Sequence, residues 1–311
     1  MSTQITLDQY RALEKEFGNF LSGNVTQAQA DEALQRLDLL RKKLREFFCQ
    51  PEEKKSLIKW IDRILKAEDM AHQNFFGQTF DLTPFRQTLE KLGKQKVASW
   101  RRLGMEIHYL PPFVFTQDLE LPGWKIKPED WFWEKLAKSK LFLKSDSGEM
   151  IEMERAEFLG QVVLVDTRCK PTYDNGRQMW KDDEEFLGPI MKQLRDEKKI
   201  APYDLPSSRF GVLYQELDDH ILPAIAKKFC IPSVQLETTI MGNILPQLYP
   251  EMPRHKNGIA NTWECRAEHC NGVSHPLDSR ESNDGGPAVG DYGYVISNWR
   301  SRSFRPLGVV A

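Results

Sequence analysis

Apolar residues recur at three- and four-residue steps along the first hundred positions, which is the pattern of amphipathic helices that share a core. One helix follows the capping residue Thr26, and a short one lies around residues 10–20. Two more begin at Pro51 and at Thr83-Pro84, because proline suits the first turn of a helix. Their buried stripes are predicted to contain Leu57, Trp60, Ile61, Ile64 and Leu65, and then Phe85, Leu89, Leu92 and Val97. The pattern therefore predicts an amino-terminal helical bundle over residues 1–105.

The hydrophobic pattern changes after this bundle. Residues 106–158 show no long helical period, and they include a Pro-Pro pair at Pro111 and Pro112. Aromatic residues cluster in the same stretch, at Trp124, Trp131, Phe132 and Trp133. We interpret residues 106–158 as an aromatic and proline-rich connector.

Strand-like sequence begins at Gln161, where the run QVVLVD is rich in β-branched residues. Helices are predicted at residues 184–197 and 215–228. Turn-forming residues predominate after Leu245, which predicts irregular, loop-rich structure. A closing apolar run at residues 307–310 can pair with the strand at residues 162–165. The expected fold class is therefore α+β.

Charge and composition limit the classes of function and partner that are expected for this chain. A formal net charge of -2 predicts no general affinity for nucleic acid. No stretch reaches the roughly 18 apolar residues that a membrane helix needs, and the amino terminus lacks the features of a secretion signal. Five cysteines at irregular spacing argue against a disulfide framework. We expect a cytoplasmic protein without membrane or nucleic-acid partners.

The carboxy-terminal segment has an unusual composition. Residues 257–311 contain no Lys, Gln or Met, although the preceding part of the chain contains 24 Lys, 17 Gln and 9 Met. Even scattering would place about nine such residues in the segment. Ser, Asn, Asp, Gly, Arg and Tyr predominate instead, and these residues adapt to many partners when a rigid scaffold displays them. Turns alone favour some of these residues, but exposed loops ordinarily accept Lys and Gln.

Several motifs in the second half of the chain occur in a recognisable order. The three principal ones are Asn261-Thr262-Trp263-Glu264, Gly285-Gly286 and Arg302-Ser303-Phe304-Arg305-Pro306-Leu307. Upstream lie Asp166-Thr167-Arg168, Met179-Trp180-Lys181-Asp182-Asp183, Ser208-Arg209-Phe210-Gly211, Pro246-Gln247-Leu248-Tyr249-Pro250 and Met252-Pro253-Arg254. The order and spacing of the three principal motifs resemble the C-type-lectin-like domain that is shared by formylglycine-generating enzymes and by the variable proteins of diversity-generating retroelements. The upstream motifs resemble a subgroup of bacterial variable proteins.

The resemblance implies a C-type-lectin-like domain over residues 159–311 whose two ends pair as strands. It also implies that a reverse transcriptase rewrites the 3′ end of the gene by copying adenines with errors. The codons that result end in a pyrimidine and exclude Lys, Gln, Met, Trp and Glu, in agreement with the composition of the segment. The variable region would then span about residues 261–303, with Glu264, Glu268 and Glu281 as fixed positions.

On this interpretation the protein is a non-enzymatic binder without catalytic residues, cofactor or metal. The predicted binding face consists of Arg266, His269, Asn271, His275, Asp278, Arg280, Asn283, Asp284, Asp291, Tyr292, Tyr294, Ser297 and Asn298. Six residues are predicted to be structural: Trp263, Gly285, Gly286, Trp299, Phe304 and Pro306. The mixture of side chains suits an unknown ligand with a protein surface. The helical module would attach the face to another copy of the chain or to a larger assembly.

Three alternatives stay open at the level of sequence. The domain can be a fixed lectin-like binder without rewriting. Cys265, His269, Cys270 and His275 are ligand types that zinc accepts, although their spacing is not that of a common zinc knuckle. Cys265 and Cys270 also have the four-residue separation of the copper-binding pair in formylglycine-generating enzymes, but here they precede Gly285-Gly286 instead of following it.

Overall fold

A computed structural model describes residues 51–145, 148–167, 186–250, 264–270, 275–281, 287–290 and 303–310. Contacts divide the chain into one unit of residues 1–58 and a second of residues 59–311. Of the first unit, residues 51–58 are described, and they are helical. The helices predicted around residues 10–20 and after Thr26 lie outside the described residues. The whole segment interpreted as a connector, residues 106–158, belongs to the second unit.

Seven helices lie in the described part of the chain, and those at residues 130–137 and 239–248 were not predicted from the sequence. They are α1 Pro51–Phe76, α2 Thr83–Arg102, α3 Asp130–Ala137, α4 Leu187–Asp196, α5 Tyr214–Glu216, α6 Leu222–Phe229 and α7 Thr239–Leu248. A π-helical turn, Leu217–Ile221, joins α5 to α6. The helix starts predicted at Pro51 and Thr83 are confirmed, and Ile61 and Phe85 of their apolar stripes are buried. A break at Gly93 interrupts α2, where a φ of 74° is easy only for glycine.

Twelve strands follow one another in the described part of the chain. They are β1 Met105–Leu110, β2 Phe113–Phe115, β3 Leu141–Lys144, β4 Met150–Glu152, β5 Ala156–Phe158, β6 Gln161–Asp166, β7 Ser233–Leu236, β8 Glu264–Cys270, β9 His275–Glu281, β10 Pro287–Gly290, β11 Ser303–Phe304 and β12 Pro306–Val309. One sheet has the order β1-β6-β12-β7, and a second has the order β10-β9-β8-β3-β4. β11 pairs with β8 in parallel, and β2 and β5 form a separate antiparallel pair. The expected α+β class is confirmed.

The predicted pairing of the terminal strand is also confirmed. β12 runs antiparallel to β6, with Leu307 opposite Val165 and Val309 opposite Val163. β6 lies between β1 and β12, and its residues 162–166 are all buried. A strand with two neighbours and two covered faces needs the continuous apolar, β-branched sequence that predicted it.

Residues 106–158 contribute to the sheets and to the core. They hold nearly all of β1 and the whole of β2, α3, β3, β4 and β5. Trp124 and Trp133 are buried in the same core as Val163 of β6 and Ile244 of α7. The Trp124 indole N–H donates a hydrogen bond of 2.7 Å to Asn243 Oδ1 in α7. The aromatic cluster is therefore part of the core of residues 59–311.

Structure after Leu245 is more regular than the turn-rich composition suggests. α7 continues to Leu248, and β8 and β9 each contain seven residues. β8 lies between β3 and β9 in its sheet. Its sequence, ECRAEHC, has no apolar alternation, since the buried positions Arg266 and Glu268 are charged. The expectation of irregular structure was wrong for β8 and β9. For β8, burial depends on polar partners elsewhere in the chain.

Candidate ligand-binding face

The predicted binding face coincides in part with β8 and β9. His275, Asp278 and Arg280 are positions of β9, which pairs with β8 on one side and with β10 on the other. Asp278 lies opposite Cys265, and His275 lies opposite Cys270. The other predicted contacts, Asn271, Asn283, Asp284, Asp291, Tyr292, Tyr294, Ser297 and Asn298, lie outside the described residues. So do the predicted structural residues Trp263, Gly285, Gly286 and Trp299.

Arg266 does not belong to an exposed face. Its side chain is fully buried, and its Nη1 lies 3.1 Å from Oε2 of Glu237, which is also fully buried. A buried guanidinium requires such a partner because an unpaired charge is costly to remove from water. The prediction that Arg266 contacts a ligand was wrong, and its role is to join β8 to the segment between β7 and α7.

His269 is buried as well, with 6% of its surface exposed. Its ring lies edge-on against Tyr214 of α5, with 4.6 Å between the ring centroids. Burial lowers the pKa of His269 and outweighs the attraction of Asp218. A neutral imidazole packed on a tyrosine ring is a core contact. His269 is therefore not an exposed residue of the predicted binding face.

Glu268 forms the third buried polar contact of β8. Its Oε1 accepts a 2.7 Å hydrogen bond from the backbone N–H of Thr239, at the start of α7. Burial raises the pKa of this carboxyl to about 7 and outweighs the hydrogen bond from Thr239 and the charge of Arg266. Codon content alone predicts that Glu268 is a fixed position. Its side chain in fact anchors β8 to α7.

The predicted structural residues Phe304 and Pro306 are both buried. The Phe304 carbonyl accepts a 2.9 Å hydrogen bond from Nη1 of Arg209, a residue far from it in sequence. Arg209 Nη1 is 3.6 Å and Arg305 Nη1 is 3.9 Å from the carboxylate of Asp166, and all three residues are buried. Arg305 Nη1 also donates to the Asp166 carbonyl at 2.7 Å. Residues from three separate motifs thus meet where β6 and β12 pair.

The geometry of β8 separates the candidate metal ligands. Cys265 and Cys270 lie near the two ends of one strand, about 16 to 17 Å apart at the usual rise per residue. Among the described residues, no group of three His, Cys, Asp or Glu side chains could hold a metal ion. The separation of Cys265 from Cys270 along β8 therefore does not fit one zinc ion held by all four candidate ligands, or one copper ion held by both cysteines.

A second buried polar centre, which sequence analysis did not identify, connects α1, β1 and the end of α7. The Glu68 carboxylate accepts hydrogen bonds from the Tyr109 backbone N–H at 2.6 Å and from the Tyr249 hydroxyl at 2.7 Å. His108 Nδ1 lies 3.0 Å from Glu68 Oε2. His72 Nε2 is 3.0 Å from the Tyr109 carbonyl oxygen. The i, i+4 spacing of Glu68 and His72 in a helical stripe was the one available signal.

Charge pairing dominates this centre. Burial disfavours the charged form of His108, but the charge of Glu68 and the hydrogen bonds to Glu106 and Glu68 raise its pKa to about 9. Burial also opposes ionisation of Glu68, yet the charge and hydrogen bond of His108 hold the Glu68 pKa below its usual value. Burial raises the pKa of Tyr249, and the neighbouring carboxylate adds to the effect. The centre is a buried carboxylate and imidazolium pair with a neutral tyrosine.

An open cleft of about 810 Å³ lies beside β8. Its lining comes from β7, α5 and α6 and from the segment between β3 and β5. Lys144 of β3 and Asp218 of the π-helical turn form a 2.9 Å ion pair in its lining. A volume of this size is within the range of roughly 300 to 1,000 Å³ that ligand pockets have.

No protein-family model matches the chain, and no curated protein or solved structure is significantly similar to it. Within the described ranges, no helix combines the length and hydrophobicity that a bilayer crossing requires.

Proposed function

We propose that this chain is a non-enzymatic ligand-binding protein with a C-type-lectin-like carboxy-terminal domain, whose binding face is diversified by a diversity-generating retroelement. The observation that carries the proposal is the complete absence of Lys, Gln and Met from residues 257–311. Adenine-directed rewriting excludes these residue types, whereas exposed loops in general do not. The ligand is a protein surface, because Tyr, Asn, Asp and Arg supply aromatic anchors and adaptable hydrogen bonds.

The fold supports the proposal by providing a rigid base for such a face. β6 and β12 are held together by backbone pairing and by the buried Asp166, Arg209 and Arg305 side chains. β8 is fixed from beneath by Arg266 and Glu268. Rigidity favours binding because each side chain that must be immobilised costs about 0.5 to 1.5 kcal/mol. When the scaffold is already ordered, only the exchangeable side chains lose conformational freedom on binding.

Burial divides the predicted face into fixed and exchangeable positions. Arg266 and His269 are fixed, since neither buried side chain can be exchanged without loss of its partner. The exchangeable set is then Asn271, His275, Asp278, Arg280, Asn283, Asp284, Asp291, Tyr292, Tyr294, Ser297 and Asn298. The first unit of the chain, residues 1–58, would attach the face to another copy or to a larger assembly.

Deep sequencing of the 3′ end of the gene and its flanking DNA, in a population of source cells, tests the proposal. We expect substitutions at codons such as those for Asn271, Asp284 and Asn298, and none at the codons for Arg266 and Glu268. A near-copy with adenines at the variable positions should lie next to a reverse-transcriptase gene. A uniform 3′ end without a second copy would refute diversification and leave a fixed lectin-like binder.

Tyr292 and Tyr294 test the face itself. Once a ligand is identified, Tyr292→Ala and Tyr294→Ala should each weaken binding by about tenfold or more, as aromatic anchors do. Tyr203→Ala, outside the proposed face, is the matched control for loss of a tyrosine. Unchanged affinity in both face variants would place the ligand elsewhere. The copper-dependent oxidase is not a competing proposal, because the extended β8 separates its two cysteines.

A further inference from the structure

Two edge strands contribute residues to the lining of the cleft beside β8. β7 is the last strand of its sheet, and all four of its residues line the cleft. β4 is the last strand of the other sheet, and its residues Ile151 and Glu152 also line the cleft. Among the described strands, none forms a ladder with the outer edge of either, although the Ala267 N–H of β8 donates a 3.1 Å hydrogen bond to the Glu237 carbonyl, directly after β7. In an antiparallel ladder, every second residue of an edge strand turns its N–H and C=O groups away from its neighbour.

Unpaired backbone groups along an open cleft favour an extended chain as the ligand. Such a chain adds a strand, and its main-chain hydrogen bonds supply affinity that does not depend on side-chain identity. Two large apolar side chains of the lining are unusually exposed, Ile151 by 55% and Leu159 by 65%. The side chains of an added strand alternate between its faces, so every second one can bury this apolar surface.

The charged side chains that line the cleft determine whether it attracts a basic or an acidic ligand. Lys144 is paired with Asp218 at 2.9 Å, and Arg155 lies 3.5 Å from Glu157. Glu152 and Glu154 also line the cleft and are exposed, and neither has an ion-pair partner among the described residues. Two uncompensated carboxylates attract a basic ligand and repel nucleic acid.

We infer that this cleft binds an extended, basic peptide segment, which adds to the edge of β7. With the exception of Ala267, the residues that line the cleft precede residue 257. The peptide site is therefore separate from the diversified face and belongs to the constant part of the chain. A protein with both sites can vary its carboxy-terminal ligand while it keeps one constant partner.

Fluorescence anisotropy with the full chain tests this inference. The probe is a fluorescein-labelled peptide of six residues that alternates lysine and valine, and a peptide that alternates glutamate and valine is its charge control. Two further peptides carry backbone N-methyl groups on the odd or on the even residues, which removes the hydrogen-bond donors of one edge at a time. We expect saturable binding of the basic peptide and at least tenfold weaker binding of the acidic one.

The methylated peptides separate strand addition from simple charge attraction. One methylation pattern should weaken binding by about tenfold, the loss expected for two or three hydrogen bonds, and the other should change it by less than about threefold. Equal affinity for the parent and both methylated peptides would overturn the inference. Absence of saturable binding by the basic peptide would also overturn it.

Reversal of two charges in the cleft lining gives a comparison that is independent of the methylated peptides. The double variant Glu152→Lys/Glu154→Lys should bind the basic peptide at least about fivefold more weakly than the unmodified chain. Glu90→Lys/Asp118→Lys changes the net charge equally at exposed positions outside the lining, and it should bind normally. An equal loss in both double variants would show general charge attraction and overturn the assignment to this cleft. Neither result bears on the diversified face, which the sequencing experiment tests separately.

Discussion

The buried pair of His108 and Glu68 should make the stability of the protein depend on pH. Because the folded-state pKa of about 9 exceeds the ordinary value of 6.5, the folded chain holds this proton more tightly than the unfolded chain. The resulting stabilisation is complete below about pH 6.5 and is lost as the pH rises through about 9. We expect the free energy of unfolding to fall by up to about 3 kcal/mol over this interval, as measured by urea unfolding.

Two variants isolate the contribution of His108. His108→Gln should be less stable than the unmodified chain near pH 6, since Glu68 loses its charged partner, and should depend less on pH above that value. His220→Gln is the matched control because His220 is not part of the buried network, and it should keep the pH dependence of the unmodified chain. A His108→Gln protein with an unchanged pH profile would show that this pair does not carry the effect.

Removal of the charge at Glu268 should stabilise the protein, because the surroundings of its carboxyl disfavour the ionised form. Its folded-state pKa of about 7 lies above the ordinary value of 4.5, so stability is lost as the pH rises from 4.5 through 7. Glu268→Gln keeps the oxygen that accepts the Thr239 N–H and has no charge to bury. At pH 8 this variant should unfold with a free energy up to about 3 kcal/mol higher than the unmodified chain, and near pH 4 the two should agree.

Urea unfolding at both pH values measures this difference for Glu268→Gln. Glu90→Gln, an exposed position of α2, is the control and should change stability by less than about 0.5 kcal/mol. A Glu268→Gln protein that is less stable at pH 8 would mean that the ionised carboxylate is favoured by Arg266 more than burial opposes it.

At the scale of elements, the pairing of β6 with β12 depends on a glycine. A Cβ atom at Gly308 would lie 2.6 Å from Ile231 Cδ1 and 3.0 Å from Leu164 Cβ. Gly308→Ala should therefore lower the free energy of unfolding by about 1 to 3 kcal/mol through overpacking. Because the nearest atom is the end of a side chain, Ile231→Val should relieve part of the strain, and a double-mutant cycle in urea should give a favourable coupling of about 0.5 kcal/mol or more.

The alternative outcome for this cycle is simple additivity. If Gly308→Ala and Ile231→Val act independently, the loss of stability in Gly308→Ala comes from contact with Leu164 and the backbone. Ile231 then does not limit the space for a Cβ atom at residue 308.

The elements that could be predicted from sequence are those whose burial is apolar. β6 and β12 carry β-branched or apolar runs, and α1 and α2 begin at prolines in front of regular apolar stripes. β1, β3 and β4 were missed because short strands between aromatic residues show too few alternations to reveal a period. β8 was missed for a different reason. Its buried residues are charged, and the partners that make burial possible, Glu237 and Thr239, lie outside its own segment.

The candidate site is predicted from composition and motif order, and it stays a prediction. Phe304 and Pro306, for which structural roles were expected, are both buried. Arg266 and His269 were assigned to the face because polar residues in a polar segment are ordinarily exposed. The ion pair and the tyrosine contact that bury them join residues about 30 to 55 positions apart, and no local pattern encodes such contacts.

At the scale of the whole molecule, the boundaries of the folding unit can be tested by truncation. A fragment of residues 51–311 keeps α1 complete and contains all of the unit of residues 59–311. We expect it to unfold cooperatively in urea and to show a near-ultraviolet circular dichroism signal from the packed Trp124 and Trp133 side chains.

The fragment of residues 159–311, which motif order alone would delimit as the domain, is the matched comparison. It lacks β1, which pairs with β6, and β3, which pairs with β8. It also lacks Trp124, whose indole N–H satisfies Asn243 in α7. β6 would become an edge strand, β8 would lose β3 and keep only β9 and the short β11, and the core would lose its aromatic layer. This fragment should therefore lack the near-ultraviolet signal and aggregate. A cooperative transition in the shorter fragment would instead mean that residues 106–158 cover a domain that folds without them.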